Sequence, residues 1–327
     1  MGTTEDDKLL AALKMPLNET MLETRELTTA EAAELEGVIV PQLTDATLMS
    51  EFDANSRIRI FHGMMTNNKG THEAMVKEAV ETYERVGIWR REHAADVMTK
   101  ELHGEQLLYE TMHTHLGGYD LYGHLIWAER LGDISQIVDA PLNTEEAKAI
   151  RMKIMEAVRI RQLAGSDARG ARRYKQVFII DLGAISLTTL LTKSAVREMT
   201  TAIVSAANGF WPETMWKCFI VNAPFIFRSA YTVISPFIHP VTKEKIKILG
   251  GPSKYLPEME ANGIPRSQIP KFLGGDLPDE KIADAIRGIN AAAAAAAVPS
   301  AAAAAAPAAA AVIAAAAAAV IAVAAVR

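Results

Sequence analysis

The sequence predicts an α/β layer architecture, and three observations carry that prediction. Residues 177–182 and 217–221 are short apolar runs bounded by turn residues, the pattern of buried strands. Between and around them lie longer stretches with helical spacing, at 143–163 and 188–208. The chain has 327 residues, 50% of them apolar, enough to bury one large core or two small ones. Strands alternating with helices bury their apolar faces by stacking in layers.

Composition narrows the function. The formal net charge is −5, which argues against a nucleic-acid partner, since such proteins carry a strongly basic face. Cys218 is the single cysteine, so no intramolecular disulfide forms, as expected of a reducing compartment. Its apolar strand setting predicts a buried, inert thiol. The first residues are acidic and polar, unlike a signal peptide. Gly2 is followed by Asp6 where myristoylation wants Ser or Thr. A cytoplasmic protein is the expectation.

Enzyme signatures are absent. There is no G-x-S-x-G elbow, no P-loop and no G-x-G-x-x-G after a strand. The strand-loop at 177–186 offers Gly183 alone, which does not cradle phosphates, and Asp181 reads as structural. His113 and His115 form H-x-H, with His103 and His124 nearby in sequence. On a strand the first two share a face, but no cysteine or carboxylate pattern completes a metal site. No catalysis, metal or cofactor is expected.

In chain order, 1–43 is an acidic, helix-prone appendage. Leu9, Leu10 and Leu13 offer one face, and Thr29 with Glu31 and Glu34 reads as a capped helix start. Residues 44–102 form a small helical module, with Met75, Val76, Ala79, Val80, Tyr83 and Val86 at helical spacing. The main domain spans 103–276. Within it, 109–132 alternates and turns at Gly117-Gly118 and Tyr122-Gly123, which predicts a β-hairpin. Asn143 or Thr144 caps the helix at 143–163, and 165–173 reads as a basic loop. Residues 225–238 hold Phe225, Ile226, Phe227, Tyr231, Val233, Ile234, Phe237 and Ile238. A helix apolar nearly all round is buried or meets something apolar that is not protein. Pro240 stops it, and 246–249 alternates like a half-exposed strand. Residues 250–271, punctuated by prolines, wrap as loop and short helix. Residues 277–290 form a terminal helix, and 291–327 is an Ala-rich low-complexity tail. The span 308–326 is long enough to cross a membrane, but alanine is only marginally apolar and no function is inferred from it.

The stretch 210–249, with WPET, FIVNAPFIFRSAY and PFIHPVTKEKIKIL, resembles the central signature of the CRAL-TRIO lipid-binding family, in its fungal phosphatidylinositol-transfer branch. GYDLYGHLIWAERLGDIS and QVFIIDLGAIS upstream, and QIPKFLGG downstream, extend the likeness over residues 109–275. The ordered set is specific where each piece alone is weak. The resemblance implies a mixed β-sheet floored by helices, a lipid pocket closed by a gate helix, and a small all-helical module in front.

The resemblance also implies residue roles. Glu213, Thr242 and Lys245 match the positions that contact the inositol-phosphate headgroup. Their chemistry suits it: Lys gives a point charge to phosphate, Thr a hydroxyl, and Glu accepts from ring hydroxyls. The bland alternative is a surface Lys and a helix-capping Thr. Phe225, Phe227, Tyr231, Ile234 and Phe237 would line the pocket and gate, or else form ordinary core. Arg228, Lys243 and Lys247 would face an anionic membrane, each contributing ~1 kcal/mol near the surface, or form a solvated face. Three departures stand out. Met64 and Met65 replace a basic pair of the preceding helix. Gln176 and Phe178 stand where hydroxyl residues are expected, and Thr214 where an Arg often follows, which argues against a choline-type second ligand. The expected function is carriage of one phospholipid, phosphatidylinositol first, with transient membrane association. The alternatives are a sterol-, tocopherol- or retinoid-like ligand on the same fold, or a lipid-sensing scaffold module.

Overall fold

The fold is given by a computed structural model. It describes residues 23–66, 70–94, 96–132, 135–140, 142–169, 172–184, 192–206, 209–225, 227 and 240–296. Leu9, Leu10, Leu13, Arg228, Tyr231, Ile234 and Phe237, and the tail beyond 296, lie outside the described residues.

The helical module is built from α1 (Thr29–Glu34), α2 (Ala54–Phe61) and α3 (His72–His93). Each helix starts on a side-chain cap. Thr28, one residue before the expected start, forms a reciprocal capping box with Glu31. Asp53 and Thr71 cap the other two, satisfying N–H groups that have no intrahelical partner. Val76, Ala79, Tyr83 and Val86 of α3 bury against Leu35, Ile39, Phe52, Ile60 and Phe61 in a core of their own.

The expected hairpin is shorter than its sequence pattern. Residues 109–112 belong to helix α4 (Glu105–Met112), which buries Leu108, Tyr109, Thr111 and Met112. Helical spacing wins here because Gly104, at φ 73°, opens a helix that His113, at φ 37°, closes. Strands β1 (Thr114–Tyr119) and β2 (Leu125–Arg130) then pair antiparallel. His113 therefore sits outside the strand and is exposed, while His115 is buried within it, so the pair does not share a strand face.

After the short α5 (Ser135–Val138), α6 runs from Thr144 to Arg169. Asn143 caps it, accepting from the N–H groups of Glu145 and Glu146. The helix takes in 165–169, which the sequence reads as loop. Gly165 is there for contact rather than for a turn: a Cβ would fall 2.5 Å from Tyr119 Oη.

β3 (Gln176–Asp181), α7 (Ser194–Ser205), β4 (Met215–Val221), α8 (Pro240–Lys245) and β5 (Ile246–Ile248) follow. Pro240 opens α8 rather than only ending what precedes it, consistent with its tolerance in a first turn. α9 (Pro252–Ala261) and α10 (Ile282–Ala296) complete the set, α10 continuing six residues into the alanine run.

The sheet order is β1-β2-β3-β4-β5, antiparallel at the first pair and parallel thereafter. It is a mixed sheet with helices on both faces. Leu116, Leu125, Trp127, Phe178, Ile180, Cys218 and Ile220 share the larger core with residues of α4, α6, α7 and α10. Ile126, Ala128, Val177, Ile179, Phe219 and Val221 face Tyr255, Leu256 and Met259 of α9. Cys218 is fully buried, and burial pushes its thiol up to about 12.

Candidate functional site

Glu213 precedes β4 in a tight turn at φ 58°, the left-handed region that non-glycine residues rarely enter. The helical module closes on it. A Cβ on Gly63 would lie 2.5 Å from Glu213 Cγ, so only glycine lets the segment after α2 approach so closely. From α2, the Arg59 guanidinium donates to the carbonyl of Pro212. Burial lowers Arg59 to about 10, opposed by nearby acids including Glu213. Burial, with Arg25 adding to it, lowers His62 to about 4. His62 Nδ1 lies 3.4 Å from the hydroxyl of Tyr174, and burial raises that phenol. Glu213 is thus set among Arg59, His62 and Tyr174.

Thr242 and Lys245 stand three residues apart on α8. α8 leads directly into β5, whose Ile246 pairs with Cys218 of β4. Lys245, the last residue of α8, thus stands at the entry to β5 beside β4. Lys245 is half-buried and Lys243 exposed.

Three other expected residues are differently placed. Lys247 is ion-paired to Glu258 of α9 and further covered, with 34% of its side chain exposed. The pair lowers the Glu258 carboxyl, so Lys247 offers a membrane less charge than Lys243. Phe225 is 77% exposed, whereas Phe227 is 2% exposed and belongs to the larger core.

The structure also brings together a polar group that sequence reasoning missed. His124, fully buried before β2, lies 2.9 Å from Asp120 and 2.9 Å from Glu23. Its ring stacks on Trp216 of β4 at 4.3 Å. Glu23 also accepts from the N–H groups of Tyr174 and Lys175. Burial opposes charge on His124, but Asp120 and Glu23 outweigh it and raise its pKa to about 9. Burial likewise pushes Glu23 up, yet His124 and Lys175 hold it lowered. The expected appendage is therefore anchored into the sheet from Glu23 onward. Asp181 is structural as expected, accepting from Arg130, Gly183 and Asn222.

Residues 109–275 match the family described as CRAL/TRIO domain, just over half of the 327 residues. The chain belongs to the CRAL/TRIO family. Among curated relatives it is 30% identical over 200 residues to a SEC14 cytosolic factor of Kluyveromyces lactis, covering 59% of this chain and 64% of that one. It is 28% identical over 191 residues to the phosphatidylinositol/phosphatidylcholine transfer protein SFH7 of Arabidopsis thaliana, covering 57% and 34% of the two. The match to the SEC14 cytosolic factors thus spans a little under two thirds of their length, 64% and 65% for the first two. A crystal structure of Sfh5 aligns at TM-score 0.46 and 15% identity, over 88% of this chain and 96% of that one. The CRAL/TRIO segment ends near Gly275, so α1 to α3 and α10 lie outside it. Among the described residues, no helix is long and apolar enough to cross a membrane.

Proposed function

We propose that the protein binds and transfers a single phospholipid, phosphatidylinositol first. The acyl chains would lie against the apolar face of the sheet, and the headgroup would meet Glu213, Thr242 and Lys245. The observation that carries this reading is local: α8, which holds Thr242 and Lys245, leads directly into the strand beside β4. Glu213 stands in a strained turn at the start of β4, held by the helical module. The transfer-protein name of the SFH7 relative supports the same assignment.

Energetics divide the labour. Each buried methylene contributes roughly 0.8 kcal/mol, so acyl burial supplies most of the gross affinity and the polar residues supply choice. An apolar pocket open to water is costly, so exchange takes place on a membrane. Phe225 and Lys243, both exposed, would meet it. The activity is binding and transfer rather than catalysis, by a protein that is cytoplasmic and only transiently membrane-bound. Native mass spectrometry of the purified chain, with a vesicle-to-vesicle transfer assay, tests the reading. Phosphatidylinositol bound one to one and moved between vesicles is expected. A neutral sterol- or retinoid-like occupant would contradict it.

A further inference from the structure

Arg151 of α6 is 1% exposed, yet two of its three guanidinium nitrogens have no hydrogen-bond partner among the described residues. Nη1 donates to Glu129 Oε1 at 2.5 Å, and the same oxygen accepts from Thr114 Oγ1 at 2.9 Å. Cζ lies 4.5 Å over the ring of Trp127. Glu129 and Trp127 are alternate residues of β2, so both project from the sheet face of the larger core. These two contacts fix the position and tilt of the guanidinium. Among the described residues, Nε and Nη2 have no hydrogen-bond partner, and neither has Trp127 Nε1. Nε–H and one N–H of Nη2 run parallel, the fork that takes two oxygens of a carboxylate or phosphate. Buried donors nearly always have a partner, so a rigid, unfilled fork inside a core points to an acceptor from outside the chain.

The same geometry says what that acceptor is not. A quaternary ammonium would seek the face of Trp127, but a guanidinium already covers it. Thr114, but not Arg151, Glu129 or Trp127, lines a cavity of about 270 Å³ whose wall also holds Tyr109, Phe272 and Ile282 and the carboxylates of Glu110, Asp279 and Glu280. The Tyr109 hydroxyl in that wall is buried and has no partner among the described residues.

We propose that the Nε/Nη2 edge of Arg151 receives a two-oxygen anion carried on an apolar chain, an acyl carboxylate first, on the inner face of the sheet. The site is independent of Glu213, Thr242 and Lys245. The test is native mass spectrometry of the full chain, stripped of lipid and offered oleate, oleyl alcohol or phosphatidylinositol vesicles. Wild type should take oleate about tenfold better than oleyl alcohol, which has the same tail and no anion. Arg151→Met combined with Glu129→Gln removes the fork without stranding a buried charge, and should lose about tenfold in oleate occupancy. Arg151→Lys keeps the charge but not the fork and should lose part of it. Loss of phosphatidylinositol rather than oleate in these variants would make a phosphodiester the source of the anion. Wild type that takes no phosphatidylinositol contradicts the proposed function alone and leaves the oleate comparison standing. Oleate and phosphatidylinositol occupancy unchanged in the double variant would overturn the proposal. If that variant does not melt cooperatively, unchanged occupancy of both in Arg151→Lys overturns it instead.

Discussion

Gly63 and Glu213 meet across the junction of the helical module and the sheet, where a Cβ on Gly63 would lie 2.5 Å from Glu213 Cγ. Two segments 150 residues apart in sequence therefore share one small volume. Gly63→Ala should displace the Glu213 side chain, because the clash is with Cγ rather than with its mobile end. Overpacking of this kind costs about 1–3 kcal/mol. The expected result is a lower unfolding midpoint together with reduced phosphatidylinositol occupancy by native mass spectrometry. Unchanged occupancy would show that the position of Glu213 does not matter to the ligand.

The His124 cluster makes stability depend on pH with a defined sign. Its folded pKa, about 9, lies above the ordinary value of 6.5. The stabilisation is complete below pH 6.5 and is lost as pH rises through 9. A shift of this size corresponds to about 3 kcal/mol. Glu23, depressed in the fold, works in the opposite sense: its contribution is present above the ordinary carboxylate range and lost as pH falls through its folded value. Urea midpoints of the wild type should therefore drop between pH 6 and pH 9.5. His124→Gln should flatten that drop, and an equal slope in both proteins would contradict the pairing.

Phe225 and Phe227 separate docking from packing. Phe225 is 77% exposed and Phe227 2%. Phe225→Asp should weaken sedimentation with anionic vesicles and leave the melting temperature nearly unchanged. Phe227→Ala should cost about 3–5 kcal/mol of stability, the usual range for emptying a core phenylalanine. Vesicle binding unaffected by Phe225→Asp would remove this residue from the membrane surface.

How much of this was legible depended on range. The buried strands β3 and β4 were plain in the sequence because continuous apolar runs bounded by turns admit few other readings. The boundary at Tyr109–Met112 was not, since so short a stretch fits period 2 as well as 3.6 and only the Gly104 and His113 turns decide it. Gly165 read as a loop signal because its contact, Tyr119, lies on a distant strand. Thr242 and Lys245 were legible as a pair from local spacing and resemblance, and both fall within α8. The surroundings of Glu213 were not, because Arg59, Gly63 and Tyr174 arrive from far along the chain. His124 carried a faint signal, an Asp four residues earlier, but its partner Glu23 is 101 residues away. Arg151 left a clearer one, a charge inside the stripe of Ile150, Ile154, Met155 and Val158 on α6.

The headgroup assignment is tested most directly by phosphatidylinositol occupancy, measured by native mass spectrometry in Glu213→Ala, Lys245→Ala and Lys247→Ala. Losing a charge-assisted hydrogen bond costs about 1.5–3 kcal/mol, roughly ten- to a hundredfold in affinity. Lys247 is the control, because it is already paired with Glu258. Occupancy should fall in the first two variants and hold in the third. Glu213 is diagnostic, since removing a negative charge ought to favour docking on an anionic membrane. Occupancy equal to wild type in both Glu213→Ala and Lys245→Ala would contradict the assignment.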